Sequence, residues 1–217
     1  MIKALIFDFD GTLVNTIEDL KDSINMALIS NGFDKQYSTE ETKNLIGKGI
    51  RVLCTRALSY CSHTLEDEEK IYKSFYDFYL KNQTNKTKPY PDVIETLMNL
   101  KNRNVKIAIL SNKKESNVLD IVDKLFPKNM FCYVIGKRED FPLKPNPISL
   151  LYLINLLEVK QEEVLYVGDS DVDMETADNA NVKKIAVTYG YREKELLVKY
   201  SPNYIINNIK EILRIIK

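Results

Sequence analysis

Short apolar runs recur along the chain, each followed by polar or turn-forming residues. Five read as strands: Ala4 to Phe9, Val105 to Leu110, Met130 to Ile135, Val164 to Val167 and Lys184 to Thr188, with a weaker sixth at Tyr204 to Ile206. Most are apolar at consecutive positions, the pattern of parallel strands covered by helices on both faces. Helical patterns alternate with them at Asp92 to Asn102, Glu115 to Phe126, Pro147 to Leu157, Val172 to Ala180 and Asn208 to Ile216. Strand and helix alternating over short connections predict an α/β fold built on a doubly wound, Rossmann-like parallel sheet.

Residues 15 to 88 break that rhythm. Ile17, Leu20, Ile24 and Leu28 repeat at helical spacing, Ser38 and Glu41 form a capping box, and Ile50, Leu53, Ala57 and Leu58 follow. An aromatic-rich helical stretch, Ile71 to Leu80, closes the set, and its rings read as the core of a small subdomain. We expect a core of residues 1–14 plus 89–217, interrupted by an all-α insertion at 15–88 that returns through Pro89 and Pro91.

Composition narrows the function. The 217 residues carry 31 basic and 31 acidic side chains, a balance that argues against a nucleic-acid or polybasic membrane binder. No apolar run approaches the ~20 residues of a membrane span, and the two acids inside the opening MIKALIFDFD do not suit a secretory signal, so a cytoplasmic protein is expected. Cys54, Cys61 and Cys132 lack metal-ligand spacing and read as buried small hydrophobes, and His63 as a solvated loop residue. Glycine is scarce, at seven, so each should mark a place where the backbone needs it.

In an open parallel sheet, ligands bind beyond the carboxyl ends of the strands. The first apolar run leads into Asp8-Phe9-Asp10-Gly11-Thr12, the second into Ser111-Asn112-Lys113, and the fourth into Gly168-Asp169-Ser170, with Asp171 and Asp173 close behind. Lys144 stands before Pro145 and a helix beginning at Pro147. At period two, Asp8 and Asp10 share one side of an otherwise apolar strand, roughly 6.6 Å apart. Two like charges there repel and lose hydration, a cost that packing alone does not explain. With Asp169 and Asp173, four carboxylates are expected to converge and call for a hard cation, Mg²⁺. The Ser111 hydroxyl, amides at helix starts and Lys144 supply donors and positive charge for a phosphate. Cation, anion donors and a carboxylate nucleophile together describe phosphoryl transfer.

DFDGT at 8–12, the strand ending in Ser111-Asn112, Lys144-Pro145 and GDSDVD at 168–173 together resemble the haloacid dehalogenase superfamily of phosphatases. The resemblance covers nearly the whole chain, with 15–88 in the place of that family's helical cap. It implies Asp8 as the nucleophile that forms an aspartyl-phosphate, and Asp10 as general acid and then general base. Asp8, Asp169 and the Asp10 carbonyl would ligate Mg²⁺, and Asp173 would orient metal-bound water or Lys144. Lys144 and Ser111, with amides near Gly11, Thr12 and Asn112, would hold the transferring phosphoryl group.

Substrate choice is expected to lie in the insertion, where Gly47, Lys48, Gly49 and Arg51 form a loop with two cations; a helix stop and surface loop is the plainer reading of the same residues. Its 11 basic and 11 acidic residues demand no strongly anionic substrate. That loop, Lys113, the KPNP at 144–147 and Thr188-Tyr189-Gly190-Tyr191 are similar to the phosphoglycolate phosphatase branch, so a small phosphorylated metabolite, phosphoglycolate first, is the expected substrate. Lys114 departs from the proline of many relatives. Alternatives are a β-phosphoglucomutase-like mutase, a pyrophosphatase or nucleotide phosphatase and, from other classes, a receiver-like module or a non-catalytic phospho-ligand binder. A monomer or small homo-oligomer is expected.

Overall fold

Six strands pair side by side, all parallel, in the computed structural model, which describes residues 1–216. β1 (Ala4–Phe7) is central, flanked by β4 (Lys106–Lys114) and β6 (Val164–Gly168); β5 (Tyr133–Lys137) lies outside β4, and β7 (Lys183–Val187) and β8 (Tyr204–Ile206) outside β6. Phe7 pairs with Ile109 on one side and Val167 on the other. The order 5-4-1-6-7-8 reverses at β1, so the topological switch point, where open α/β sheets bind ligands, is at its carboxyl end.

Both faces of the sheet are covered. Leu5, Phe7, Ile107, Ile109, Leu165 and Val167 face one apolar layer together with α5 (Val93–Asn102), α6 (Glu115–Leu125) and α10 (Ile212–Ile215). Ala4, Ile6, Ala108, Leu110 and Tyr166 face another with α7 (Ile148–Leu156) and α8 (Asp171–Asn179). Double coverage is why these strands read as continuous apolar runs.

Residues 1–15 and 89–217 make one compact unit and residues 16–88 a second. The second holds α1 (Ile17–Ser30), α2 (Thr39–Leu45), α3 (Ile50–Ala57) and α4 (Leu65–Asn82). The Ser38–Glu41 capping box opens α2. From α4, Ile71, Phe75 and Tyr79 are the buried residues, with Phe75 and Tyr79 stacked at 5.5 Å. A two-stranded ribbon, β2 (Val14–Asn15) with β3 (Lys88–Pro89), marks the boundary and was not anticipated from the sequence.

Several boundaries differ from expectation. β1 stops at Phe7, because the chain then turns: the N–H groups of Leu13 and Val14 both donate to the Phe9 carbonyl. β4 runs through Ser111, Asn112 and Lys113, so these residues lie within the strand rather than beyond it. β5 starts at Tyr133 because Met130 closes a turn onto the Pro127 carbonyl. The C-terminal helix shrinks to a 3-10 turn, Ile209–Glu211, and α10, while α9 (Lys194–Val198) appears where none was expected. Only Cys54 is buried; Cys61 is half-buried and Cys132 exposed. His63 is bound rather than solvated, contacting Glu68 Oε1 at 3.2 Å and the Cys61 carbonyl at 3.1 Å. Among the described residues no helix is long and apolar enough to cross a membrane.

Candidate active site

The turn after β1 and the loop after β6 meet at the carboxyl edge of the sheet. There the carboxylates of Asp8, Asp169 and Asp173 each offer an oxygen within 4.8 Å of the others. One ammonium stands among them: Lys144 Nζ is 2.8 Å from Asp8 Oδ1 and 2.7 Å from Asp173 Oδ1. The Lys144 backbone is gripped by the Asn112 side chain, whose Oδ1 accepts from Lys144 N–H at 2.8 Å and whose amide donates to the Lys144 carbonyl at 3.1 Å. Asn112 thus couples the β4 end to the Lys144 loop.

Asp173 is fully buried and, besides Lys144, is held by three more hydrogen bonds. Tyr166 Oη donates to its Oδ1 at 3.1 Å, and the Ser170 hydroxyl and N–H donate to its Oδ2 at 2.6 and 3.1 Å. Ser170 and Asp173 are also the capping box that starts α8, so one carboxylate serves both the helix and the site. Asp169 accepts from the Thr12 hydroxyl at 2.9 Å and the Tyr191 N–H at 2.8 Å. Gly11 makes that approach possible. It adopts φ +86°, and a Cβ on it would lie 2.3 Å from Asp169 Oδ2.

Charge follows geometry. Burial first, then the negative charge of Asp173, hold the Asp8 carboxyl well above the ordinary carboxylate range, with Lys144 pulling the other way. Burial and Asp173 push Asp169 up to about 7 against its two hydrogen bonds. Burial disfavours the Lys144 ammonium, but Asp173 and Asp8 outweigh it and keep Lys144 charged.

Not every expected residue joins the cluster. The Asp10 carboxylate turns to Lys113, whose Nζ lies 2.9 Å from Asp10 Oδ1, so three carboxylates converge rather than four. The cause is the early end of β1, which removes the strand alternation that would align Asp10 with Asp8. Lys113 is therefore a partner of Asp10, and its N–H bonds the Ser111 hydroxyl at 3.2 Å. Thr12 is fully buried, and its hydroxyl donates to Asp169. Asp171 pairs with Arg192 at 3.3 Å. Gly47, Lys48, Gly49 and Arg51 belong to the helical unit. Gly49 caps α3, and Arg51 pairs with Glu69 and stacks 4.2 Å over the Tyr72 ring, so its charge is engaged within that unit.

Sequence reasoning missed Tyr166, Ser170 and the Tyr191 amide. The Ser170-x-x-Asp173 capping pattern was readable; a lone phenol inside the apolar run Val164–Val167 was a weaker signal, and a backbone amide gives none. Three clustered carboxylates, Asp169 and Asp173 buried and Asp8 partly so, meet one ammonium, and the donor set is all oxygen, so these residues fit a hard divalent cation, which Asp8, Asp169 and Asp173 would hold.

Residues 5–187 match the family model described as haloacid dehalogenase-like hydrolase. The chain is 32% identical to phosphoglycolate phosphatase 1 of Pseudomonas aeruginosa, over 97% of this chain and 78% of that protein. It is also 32% identical to a phosphoglycolate phosphatase of Vibrio parahaemolyticus, over 99% and 96%. The crystal structure of a predicted phosphoglycolate phosphatase from Haemophilus somnus superposes with a TM-score of 0.93 at 30% identity, covering 100% of this chain and 98% of that one.

Proposed function

This chain belongs to the haloacid dehalogenase-like hydrolases, and on that footing we propose that it is a Mg²⁺-dependent phosphatase whose substrate is phosphoglycolate. It is an enzyme of the phosphatase class; the substrate, the cation and the roles of individual residues are the proposal. What carries the reading is the meeting of Asp8, Asp169, Asp173 and Lys144 at the end of the central strand.

In this reading Asp8 attacks phosphorus in line. The bond from phosphorus to the ester oxygen breaks, and the leaving alkoxide takes its proton from Asp10. Water then attacks the aspartyl-phosphate, giving its proton to Asp10 and releasing phosphate with Asp8 restored. Lys113 holds Asp10 in place between these proton transfers. Lys144 and Ser111 bind phosphoryl oxygens, and the ammonium matches charge that grows in the transition state. A divalent cation held by Asp8, Asp169 and Asp173 would supply charge that favours the ionised Asp8 and offsets the phosphate's own. Phosphomonoester hydrolysis needs roughly 20 kcal/mol of help, and acid–base catalysis contributes only about 3–5 of it, so positioning and electrostatics carry the rest. The helical unit's part, substrate selection through Gly47, Lys48 and Gly49, rests on the sequence motif.

The test is phosphate release from phosphoglycolate, sugar phosphates, nucleotides and pyrophosphate, with Mg²⁺ and with chelator. Phosphoglycolate should be turned over best, only with metal, and Asp8→Asn should lower kcat by about 10⁴-fold or more with the fold intact. Turnover by Asp8→Asn would overturn the nucleophile; consumption of a sugar phosphate without phosphate release would make the protein a mutase.

A further inference from the structure

The segment Thr188–Tyr189–Gly190–Tyr191, of which only the Tyr191 amide has a place in the site described above, follows β7 along the same sheet edge as Asp8 and Asp169. Two contacts tie it to Asp169 directly and a third through Thr12. The Tyr191 N–H holds Asp169 Oδ2 at 2.8 Å, while Thr12 holds Oδ1 at 2.9 Å, so two different loops grip the two oxygens of one carboxylate. A Cβ on Gly190 would lie 2.2 Å from Asp169 Cβ, so any side chain there displaces the aspartate. The Tyr189 hydroxyl donates to the Thr12 carbonyl at 3.1 Å, and its ring rests on Tyr90 with centroids 4.9 Å apart. The contacts close a circuit through Tyr189, Thr12, Asp169 and Tyr191.

We propose that the Tyr189–Tyr191 loop is a positioning element for Asp169 that sets the affinity of the site for its divalent cation, with the Tyr189 hydroxyl as its lock. This rests on the reading of Asp169 as a metal ligand. A carboxylate held at both oxygens meets the ion already oriented, whereas one free to turn gives up that freedom on binding. Groups that orient metal ligands typically change metal affinity about 10–100-fold when removed. Tyr189 acts one contact further out, through Thr12, which places it at the low end of that range.

Tyr189→Phe removes the hydroxyl and keeps the ring on Tyr90. The experiment titrates Mn²⁺ into the purified full chain and follows the free-ion signal by electron paramagnetic resonance, alongside the Mg²⁺ concentration for half-maximal turnover. Tyr189→Phe should weaken Mn²⁺ binding about tenfold and raise the half-maximal Mg²⁺ in parallel, with Gly190→Ala weaker still. Should Gly190→Ala fail to fold, Tyr189→Phe decides alone. Tyr204→Phe, an exposed tyrosine on β8, should keep the wild-type Mn²⁺ affinity. Equal Mn²⁺ affinity in wild type and Tyr189→Phe, or a turnover loss with no change in metal affinity, would overturn the inference and leave the phosphatase reading standing. A wild type that binds no Mn²⁺ would overturn the metal reading and this inference with it.

Discussion

Charge is used in opposite ways in the two units. In the helical unit it lies on the surface: Arg51 and Glu69 pair while 55% and 63% exposed, and Lys70 and Glu66 while 55% and 76% exposed. Such pairs contribute about 0–1 kcal/mol and weaken with salt. In the core unit, Asp8, Asp173 and Lys144 meet at 13% exposure or less. Asp19 shows that burial alone is not the signal. It is 2% exposed within the helical unit, and its carboxylate accepts from Lys86 N–H and from the Thr87 N–H and hydroxyl. A solitary buried carboxylate supplied with neutral donors is a structural clasp. Carboxylates that face one another are a site, because folding gains nothing from their repulsion.

The largest effect should come from removing the one cation of the cluster. Lys144→Ala leaves Asp8 and Asp173 facing each other without an ammonium, and breaking a buried pair typically costs about 3–5 kcal/mol. Turnover should fall about 10²–10³-fold or more, the scale of losing one preorganised donor to the transition state. Denaturant melts of the metal-free protein together with kcat read both numbers. An activity loss without destabilisation would mean that the carboxylates relieve their repulsion by taking up protons, and intact turnover would end the contrast between the units.

A middle-sized effect links metal to pH. Asp8 and Asp169 are raised in the folded protein, Asp169 to about 7, mainly by burial. Between about pH 4 and 7 the folded state therefore keeps protons that the unfolded chain has released, and metal-free stability falls as pH rises through that window. Metal binding needs those protons gone. Mg²⁺ at about 100 times its Kd should stabilise by about 2.7 kcal/mol at pH 8, a Tm rise of roughly 5–11 °C for a chain this size, and by much less at pH 5. Thermal melts with and without Mg²⁺ at both pH values check it, and an equal shift at the two would count against the acidic cluster as the binding site.

Much of the core was legible because its candidate site residues are local in sequence: Asp8 to Thr12 lie in the turn after β1, and Gly168 to Asp173 run from the end of β6 into the start of α8. Strands buried on both faces also announce themselves as apolar runs, although Met130 shows that an apolar residue can close a turn instead of opening a strand. What stayed hidden is pairing across long separations. Lys113 meets Asp10 across 103 residues, and Tyr189 meets Thr12 across 177, and no local pattern encodes either contact. Asp10 itself was misplaced for a physical reason: the turn after Phe7 ends the alternation that would have aligned it with Asp8.

The smallest effect is expected at Arg51, and it tests the contrast from the other side. Its guanidinium pairs with exposed Glu69 and stacks on Tyr72, contacts worth about 1 kcal/mol or less at such exposure. Arg51→Ala should therefore change stability by less than about 1 kcal/mol, and, with the charge already engaged inside the helical unit, should change kcat/KM by less than about fivefold. Chemical denaturation and steady-state kinetics on phosphoglycolate measure the two separately. A larger rise in KM with stability and kcat unchanged would show that Arg51 leaves Glu69 for the substrate, and that exposed charge in the helical unit serves recognition.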